Sequence, residues 1–190
     1  MSEIILYPTE TIYGLGVNPF DSDAVQALYE LKGRPDDKPA SWLVLNLDDI
    51  KRYAVVSEAA ATIAERFLPG RITLVLPALS EIESSLTAAD HTLSFRVSAD
   101  PVAQRVIEDF MLQHNAPLTC TSANVSGEAP QANSDAILRQ FGDRAQMITQ
   151  IVDDGERTGT PSTVVRVVGD QIEILREGAI SEAEIRSVVV

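Results

Sequence analysis

The chain has one cysteine, Cys120, so no disulfide can form within it, and that usage suits a reducing compartment. Histidine is nearly absent: His91 and His114 stand far apart, without partners at metal-ligand spacing, and no metal site is expected from protein side chains alone. No apolar run approaches the roughly 20 residues of a membrane-spanning helix. The N-terminus lacks the basic-then-apolar pattern of a secretion signal. These absences point to a cytoplasmic protein with no membrane partner. Cations are scarce too, with 15 Lys and Arg against 28 Asp and Glu and a net charge of −13. A wide nucleic-acid face needs clustered cations to release counterions, so tight direct RNA binding is not expected. The usual nucleotide signatures are missing. Gly14-Leu15-Gly16 has no third glycine of the dinucleotide fingerprint, and no Gly-Lys-Ser/Thr phosphate loop exists.

What is present is an ordinary globular composition, 45% hydrophobic and 23% charged over 190 residues. That length suits one core, and no repeat, low-complexity tract or linker divides it, so residues 1–190 are read as a single domain. Strand and helix patterns alternate. Ile4–Leu6 opens as a strand and runs into a turn closed by Gly14 and Gly16. Ser22 is placed as the cap of a helix with Val25, Leu28 and Tyr29 on its apolar side, ending near Gly33. Trp42–Leu45, Ile72–Leu76, Leu93–Val97 and Leu118–Thr121 read as strands. Helices start at Ser57 and at Asp100-Pro101, the second with Val102, Val106 and Phe110 facing inward. Ser134–Phe141 is a further helix. Strands follow near Ile148–Val152, Thr163–Val168 and Ile172–Leu175, the last two joined by Gly169-Asp170. Ser181 and Glu184 have capping-box spacing. The implied fold class is α/β: a twisted, mixed parallel and antiparallel sheet with flanking helices.

Polar clusters sit at the ends of these elements. Thr9, Thr11 and Tyr13 alternate in Tyr7-Pro-Thr-Glu-Thr-Ile-Tyr-Gly-Leu-Gly16, a spacing that would put their hydroxyls on one side of an extended segment. Lys32-Gly-Arg34-Pro35, followed by Lys38-Pro39, sits at a helix C-terminus. It reads either as compensation of the helix dipole or as a stiffened basic turn for a triphosphate. Arg96 lies within an apolar strand, facing either solvent or a bound anion. Thr119–Gly127 gathers hydroxyls and an amide, suited to turn and cap duty or to oxyanion binding. Pro161-Ser162-Thr163-Val-Val repeats the grammar of the N-terminal run, and Arg176 follows the hairpin in Leu175-Arg-Glu-Gly-Ala-Ile180.

In this order the five motifs resemble those of the YrdC-like family of threonylcarbamoyl-AMP synthases, in its short single-domain form, over about Ile4 to Ile180. The resemblance implies an ATP-dependent nucleotidyltransferase. It would make threonylcarbamoyl-AMP and pyrophosphate from L-threonine, bicarbonate or CO2, and ATP, supplying the threonylcarbamoyladenosine modification of tRNA. It implies that Lys32 and Arg34 hold ATP phosphates and act catalytically. Ser122, Asn124 and Arg176 would also bind ATP, and Thr9, Arg96, Thr121 and Ser162 would bind threonine. Mg2+ is implied as an ion carried with ATP, and a downstream tRNA-modifying transferase as a partner. Three departures stand out: Ala40 and Ser98 replace an expected Leu and Pro, and the family's helix before the first strand is absent. Two other readings stay open, a non-catalytic RNA-binding or ribosome-maturation module and a paralogue acting on a different carbamoyl-adenylate.

Overall fold

Alternating residues along a strand point to opposite faces of a sheet, and the two faces here differ in chemistry. The computed structural model describes residues 2–33 and 39–189. Among these, nine strands form one mixed sheet: β1 (Ile5–Tyr7), β2 (Gly14–Gly16), β3 (Ser41–Leu43), β4 (Ile72–Pro77), β5 (Thr92–Arg96), β6 (Leu118–Ser122), β7 (Gln150–Ile151), β8 (Thr163–Val168) and β9 (Gln171–Arg176). Their spatial order is β7-β1-β2-β6-β3-β5-β4-β8-β9. The β1–β7, β3–β5 and β4–β8 pairs are parallel, and the others are antiparallel. The helices are α1 (Ser22–Lys32), α2 (Leu47–Lys51), α3 (Glu58–Phe67), α4 (Pro101–His114), α5 (Ser134–Phe141) and α6 (Glu182–Arg186).

One face of the sheet is largely apolar. Leu6, Leu15, Trp42, Leu74, Phe95 and Val165 meet Leu28 and Leu31 of α1, Ile63 of α3, Ile137 of α5 and Ile185 of α6 in one large core. On the other face, Ile5, Tyr7, Leu43 and Leu118 meet Ala103, Ile107 and Phe110 of α4 in a smaller core. Among the described helices, only α4 contributes buried residues to this second core. Its cover ends near Cys120. Beyond that point the same face carries Ser41, in phase with Leu43, and Arg96 and Thr73, out of phase with the buried Phe95 and Leu74.

Caps fix where the helices begin. Ser57, Asp100 and Ser181 cap α3, α4 and α6, and Ser181 and Glu184 make both bonds of the capping box. At α1 the cap is Asp21, whose carboxylate accepts from Ala24 N, so Ser22 is the first helical residue rather than the cap. Gly33 ends this helix in the left-handed region at φ 59°, which glycine adopts without Cβ strain. The buried stripe of α4 is Ala103, Ile107 and Phe110; Val102 and Val106 are only partly covered at its flank. Both sets have helical spacing, and the packing onto β1, β3 and β6 selects between them. The five-residue helix α2 gave too short a pattern to be read from sequence.

Gly14 and Gly16 do not close a turn. They form β2, an interior strand between β1 and β6. A methyl at Gly16 would overlap the side chain of the fully buried Leu118. Gly16→Ala should therefore cost about 1–3 kcal/mol by overpacking. The expected result is a lower urea midpoint with an unchanged slope, and an unchanged midpoint would mean that Leu118 repacks freely.

Candidate functional site

The part of the second face left open by α4 forms a cavity of about 430 Å³. Its lining draws on seven strands that are consecutive in space: Gly14 of β2, Cys120 to Ser122 of β6, Ser41 of β3, Arg96 of β5, Thr73 of β4, Val164 of β8 and Arg176 of β9. The turn from Thr9 to Tyr13 forms one wall, and the loop carrying Asn124 and Glu128 forms another.

That first wall is rigid because its polar groups satisfy one another. Thr9 Oγ1 donates to the Ile12 carbonyl at 2.6 Å and lies 3.2 and 3.3 Å from the Thr11 and Ile12 amides, which donate to it. It also lies 2.9 Å from Thr11 Oγ1. The Thr9 hydroxyl thus shapes the turn as well as bordering the cavity. Tyr13 OH donates to Asp153 and accepts from the Asp154 amide, which fastens residues 153–155 to the turn. Gly159 completes the fastening by donating its N–H to the Thr11 carbonyl at 2.7 Å. A Cβ at Gly159 would lie 2.7 Å from that same oxygen, so only glycine permits the approach.

Arg96 reaches the cavity from β5 with its side chain only 9% exposed. Its Nη2 donates to Glu10 at 2.6 Å and to Thr11 Oγ1 at 3.3 Å, while its buried Nε–H has no hydrogen-bond partner. Arg176 comes from the end of β9 and donates to the Ser162 carbonyl at 2.8 Å; Ser162 Oγ is itself paired with Thr73 Oγ1 at 2.8 Å. Burial, and then the nearby Arg96 charge, lower the pKa of Arg176 from its ordinary value. A bound anion would relieve both effects. Two cations converging on one cavity, with a buried donor unmet, are chemically suited to an oxyanion.

Seven of the residues assigned from sequence come together here: Thr9, Arg96, Thr121, Ser122, Asn124, Ser162 and Arg176 all line this cavity. Lys32 does not line it. It is the last residue of α1, 3% exposed, and its ammonium donates to the carbonyls of Ser122 and Asn124, the latter at 2.9 Å. It braces the Ser122–Asn124 segment from behind rather than standing in a polar turn. Arg34 lies outside the described residues. Asn124 fixes the loop further by donating to the carbonyls of Val125 and Glu128, leaving its Oδ1 buried and without a partner.

Sequence reasoning missed Glu10, Ser41, Thr73, Ser98 and Cys120. Thr73 and Ser41 carried a signal, each a small polar residue beside buried apolar neighbours in a short strand. Glu10 lay inside a motif but offered no spacing that paired it with Arg96, 86 positions away.

The family profile described as "Telomere recombination", covering Sua5, YciO and YrdC proteins, matches residues 1–178. A threonylcarbamoyl-AMP synthase of Bacillus subtilis is 34% identical, covering 99% of this chain and 53% of that protein. A putative threonylcarbamoyl-AMP synthase of Methanocaldococcus jannaschii is 30% identical over 94% of this chain and 81% of its own length. The crystal structure of Pyrococcus abyssi Sua5 complexed with L-threonine superposes with a TM-score of 0.87 at 32% identity, over 98% of this chain and 53% of that one. The chain therefore spans about half the length of the Bacillus and Pyrococcus relatives.

The position of Lys32 generates a test of the loop. Lys32→Met keeps the aliphatic stem but leaves two carbonyls of the loop without their charged donor. The loss should be about 1.5–3 kcal/mol of stability, measured by urea denaturation. A variant as stable as the parent would show that the ammonium does not brace the loop.

Proposed function

The chain belongs to the Sua5/YciO/YrdC family, and on that premise we propose that it condenses L-threonine, CO2 or bicarbonate, and ATP into threonylcarbamoyl-AMP, releasing pyrophosphate. The observation that carries this reading is the cavity itself. Arg96, with a buried donor unmet, and Arg176, with its pKa lowered beside Arg96, share it with the Thr121–Asn124 loop.

In this reading the threonine carboxylate takes up the free donors of Arg96. Thr121 and Ser162 border the amino acid, and Thr9 holds its wall. The unprotonated amine adds to CO2, and an oxygen of the resulting carbamate attacks the α-phosphorus of ATP as pyrophosphate leaves. Negative charge grows on phosphate oxygens, so catalysis rests on positioning and on cationic donors more than on an acid or base. Arg176, Ser122 and Asn124 meet the nucleotide side. Lys32 acts there through the loop it braces, and Arg34 follows it in the same motif.

The magnesium ion carried by ATP fits this donor set. Hard divalent cations take oxygen ligands and keep most of them from phosphate and water. Among the described residues no cluster of three His, Cys, Asp or Glu could hold a metal by itself. Asn124 Oδ1, buried and without a partner, and the Ser122 hydroxyl are the protein oxygens that would share the ion. When bound with ATP, it would neutralise phosphate charge.

The product is a reactive mixed anhydride, an acyl donor for a nucleobase amine. With a net charge of −13, the chain is poorly suited to hold tRNA itself, which leaves that transfer to a second enzyme.

The purified protein should release pyrophosphate from ATP only when threonine and bicarbonate are both supplied. Release from ATP alone, or no release under any combination, would overturn the reading. Arg96→Ala should weaken threonine binding by about 1.5–3 kcal/mol, the loss of charge-assisted hydrogen bonds, with little change for ATP. Arg176→Ala should show the opposite preference. Isothermal titration of each substrate distinguishes them, and equal losses for both substrates would remove the division of the cavity into two ends.

A further inference from the structure

Glu10 is outside the cavity lining, on the turn between β1 and β2, yet it controls the residue that matters most there. One oxygen of its carboxylate accepts from Arg96 Nη2 at 2.6 Å, and the other accepts from the Ser98 hydroxyl. The Arg96 and Glu10 side chains are 9% and 13% exposed. Nη2 is further tied to Thr11, whereas among the described residues Nη1 meets only the Cys120 sulfur at 3.9 Å and Nε has no hydrogen-bond partner. One part of the guanidinium is therefore closed by the protein's own anion, and the remaining donors are left for an anion from outside.

A buried guanidinium without a counter-ion is costly, and a protein relieves that cost by moving the group or by capturing an anion. Here neither is needed while the cavity is empty, because Glu10 is already in place. The same negative charge must then repel an incoming carboxylate from only a few ångströms further away. We propose that Glu10 is the internal counter-anion of Arg96, holding the guanidinium in the empty cavity and limiting how tightly the cavity takes a carboxylate. It is a positioning residue that also sets specificity: with it, the arginine accepts one carboxylate and can release it. Ser98 holds the second oxygen and so fixes the carboxylate's orientation.

This inference rests on reading Arg96 as the carboxylate end of the site, and the experiment separates the two. Thermal unfolding of the parent, Glu10→Gln, Glu10→Asp and the double variant Glu10→Gln/Arg96→Ala is followed during titration with sodium acetate at constant ionic strength, and separately with L-threonine. Acetate serves as a bare carboxylate. Without added anion, Glu10→Gln should melt lower than the parent. Its half-saturating acetate concentration should fall about tenfold, with Glu10→Asp intermediate at about threefold and the double variant losing the tightened response.

A purely structural role would lower the melting temperature by the same amount at every acetate concentration, and that result overturns the proposal. So does an unchanged acetate response. If Glu10→Gln does not fold, Glu10→Asp decides: tightened acetate binding supports the proposal and unchanged binding overturns it. If acetate behaves as expected but threonine stabilises none of the proteins, the threonine assignment falls while the role of Glu10 stands.

Discussion

The structure depends on the unequal cover of one sheet. Helices α1, α3, α5 and α6 contribute to the core on one face, while among the described helices α4 alone supplies buried residues to the other, over β1, β3 and β6. The uncovered remainder cannot be apolar, because an exposed apolar sheet face of that size would associate with whatever it met. The strands answer with alternation. Ile72, Leu74 and Leu76 point into the large core while Thr73 points the other way, and Phe95 points in while Arg96 points out. The pattern that buries one face thereby equips the other as a site.

Putting an arginine on that face brings a second constraint. Arg96 sits where a residue close to the α4 core must also be charged, and the core offers it only the Cys120 sulfur. The partner comes from the neighbouring turn, and this requirement explains the density of bonds around Thr9 and Thr11. If the turn shifted, Glu10 would leave Arg96, and a half-made buried pair costs about 3–5 kcal/mol. The hydroxyls of Thr9 and Thr11 are best understood as what holds that turn in register, so residues that border the cavity also protect the ion pair beneath it.

Much of this was legible in the sequence, and the misses share a cause. The helix limits at Gly33 and Phe141, the hairpin through Gly169 and Asp170, and the capping box at Ser181 all follow from chemistry within a few residues. Seven cavity residues were identifiable, six because each belongs to a compact motif and Arg96 because it stands as a charge inside an apolar strand. What was not legible depended on contacts between distant segments. The Gly14–Gly16 strand looks like a turn until Leu118 is seen pressing on Gly16. Lys32 looks like a surface cation until the Ser122 and Asn124 carbonyls are found over it. Glu10 and Ser98 carry no local signal of their joint attachment to Arg96. Spacing reports local geometry, while the pairing of charges across a sheet is settled only by topology.

The cavity floor and the segment next to its Thr9–Tyr13 wall are held by forces of different kinds. The floor is the sheet, with Leu74, Phe95 and Val165 fully buried beneath it, so opening it means breaking the main core. The residues from 153 to 161 have no regular structure, are largely exposed, and are fastened by polar contacts: Tyr13 to Asp153, Gly159 to Thr11, and Arg157 to Asp100. Segments with few buried apolar contacts open at much lower free energy than the core. Their anchor points are nonetheless firm, since Tyr13 is 1% exposed and Asp100 caps α4. The result is an exposed segment hung from buried posts beside a floor built on the main core. The proposed reaction would use that division, since its site would have to admit a nucleotide and an amino acid and then keep water from a reactive anhydride. Arg96 stands on that floor, held by Glu10 and Thr11, and Arg176 is held at the end of β9 by the Ser162 carbonyl.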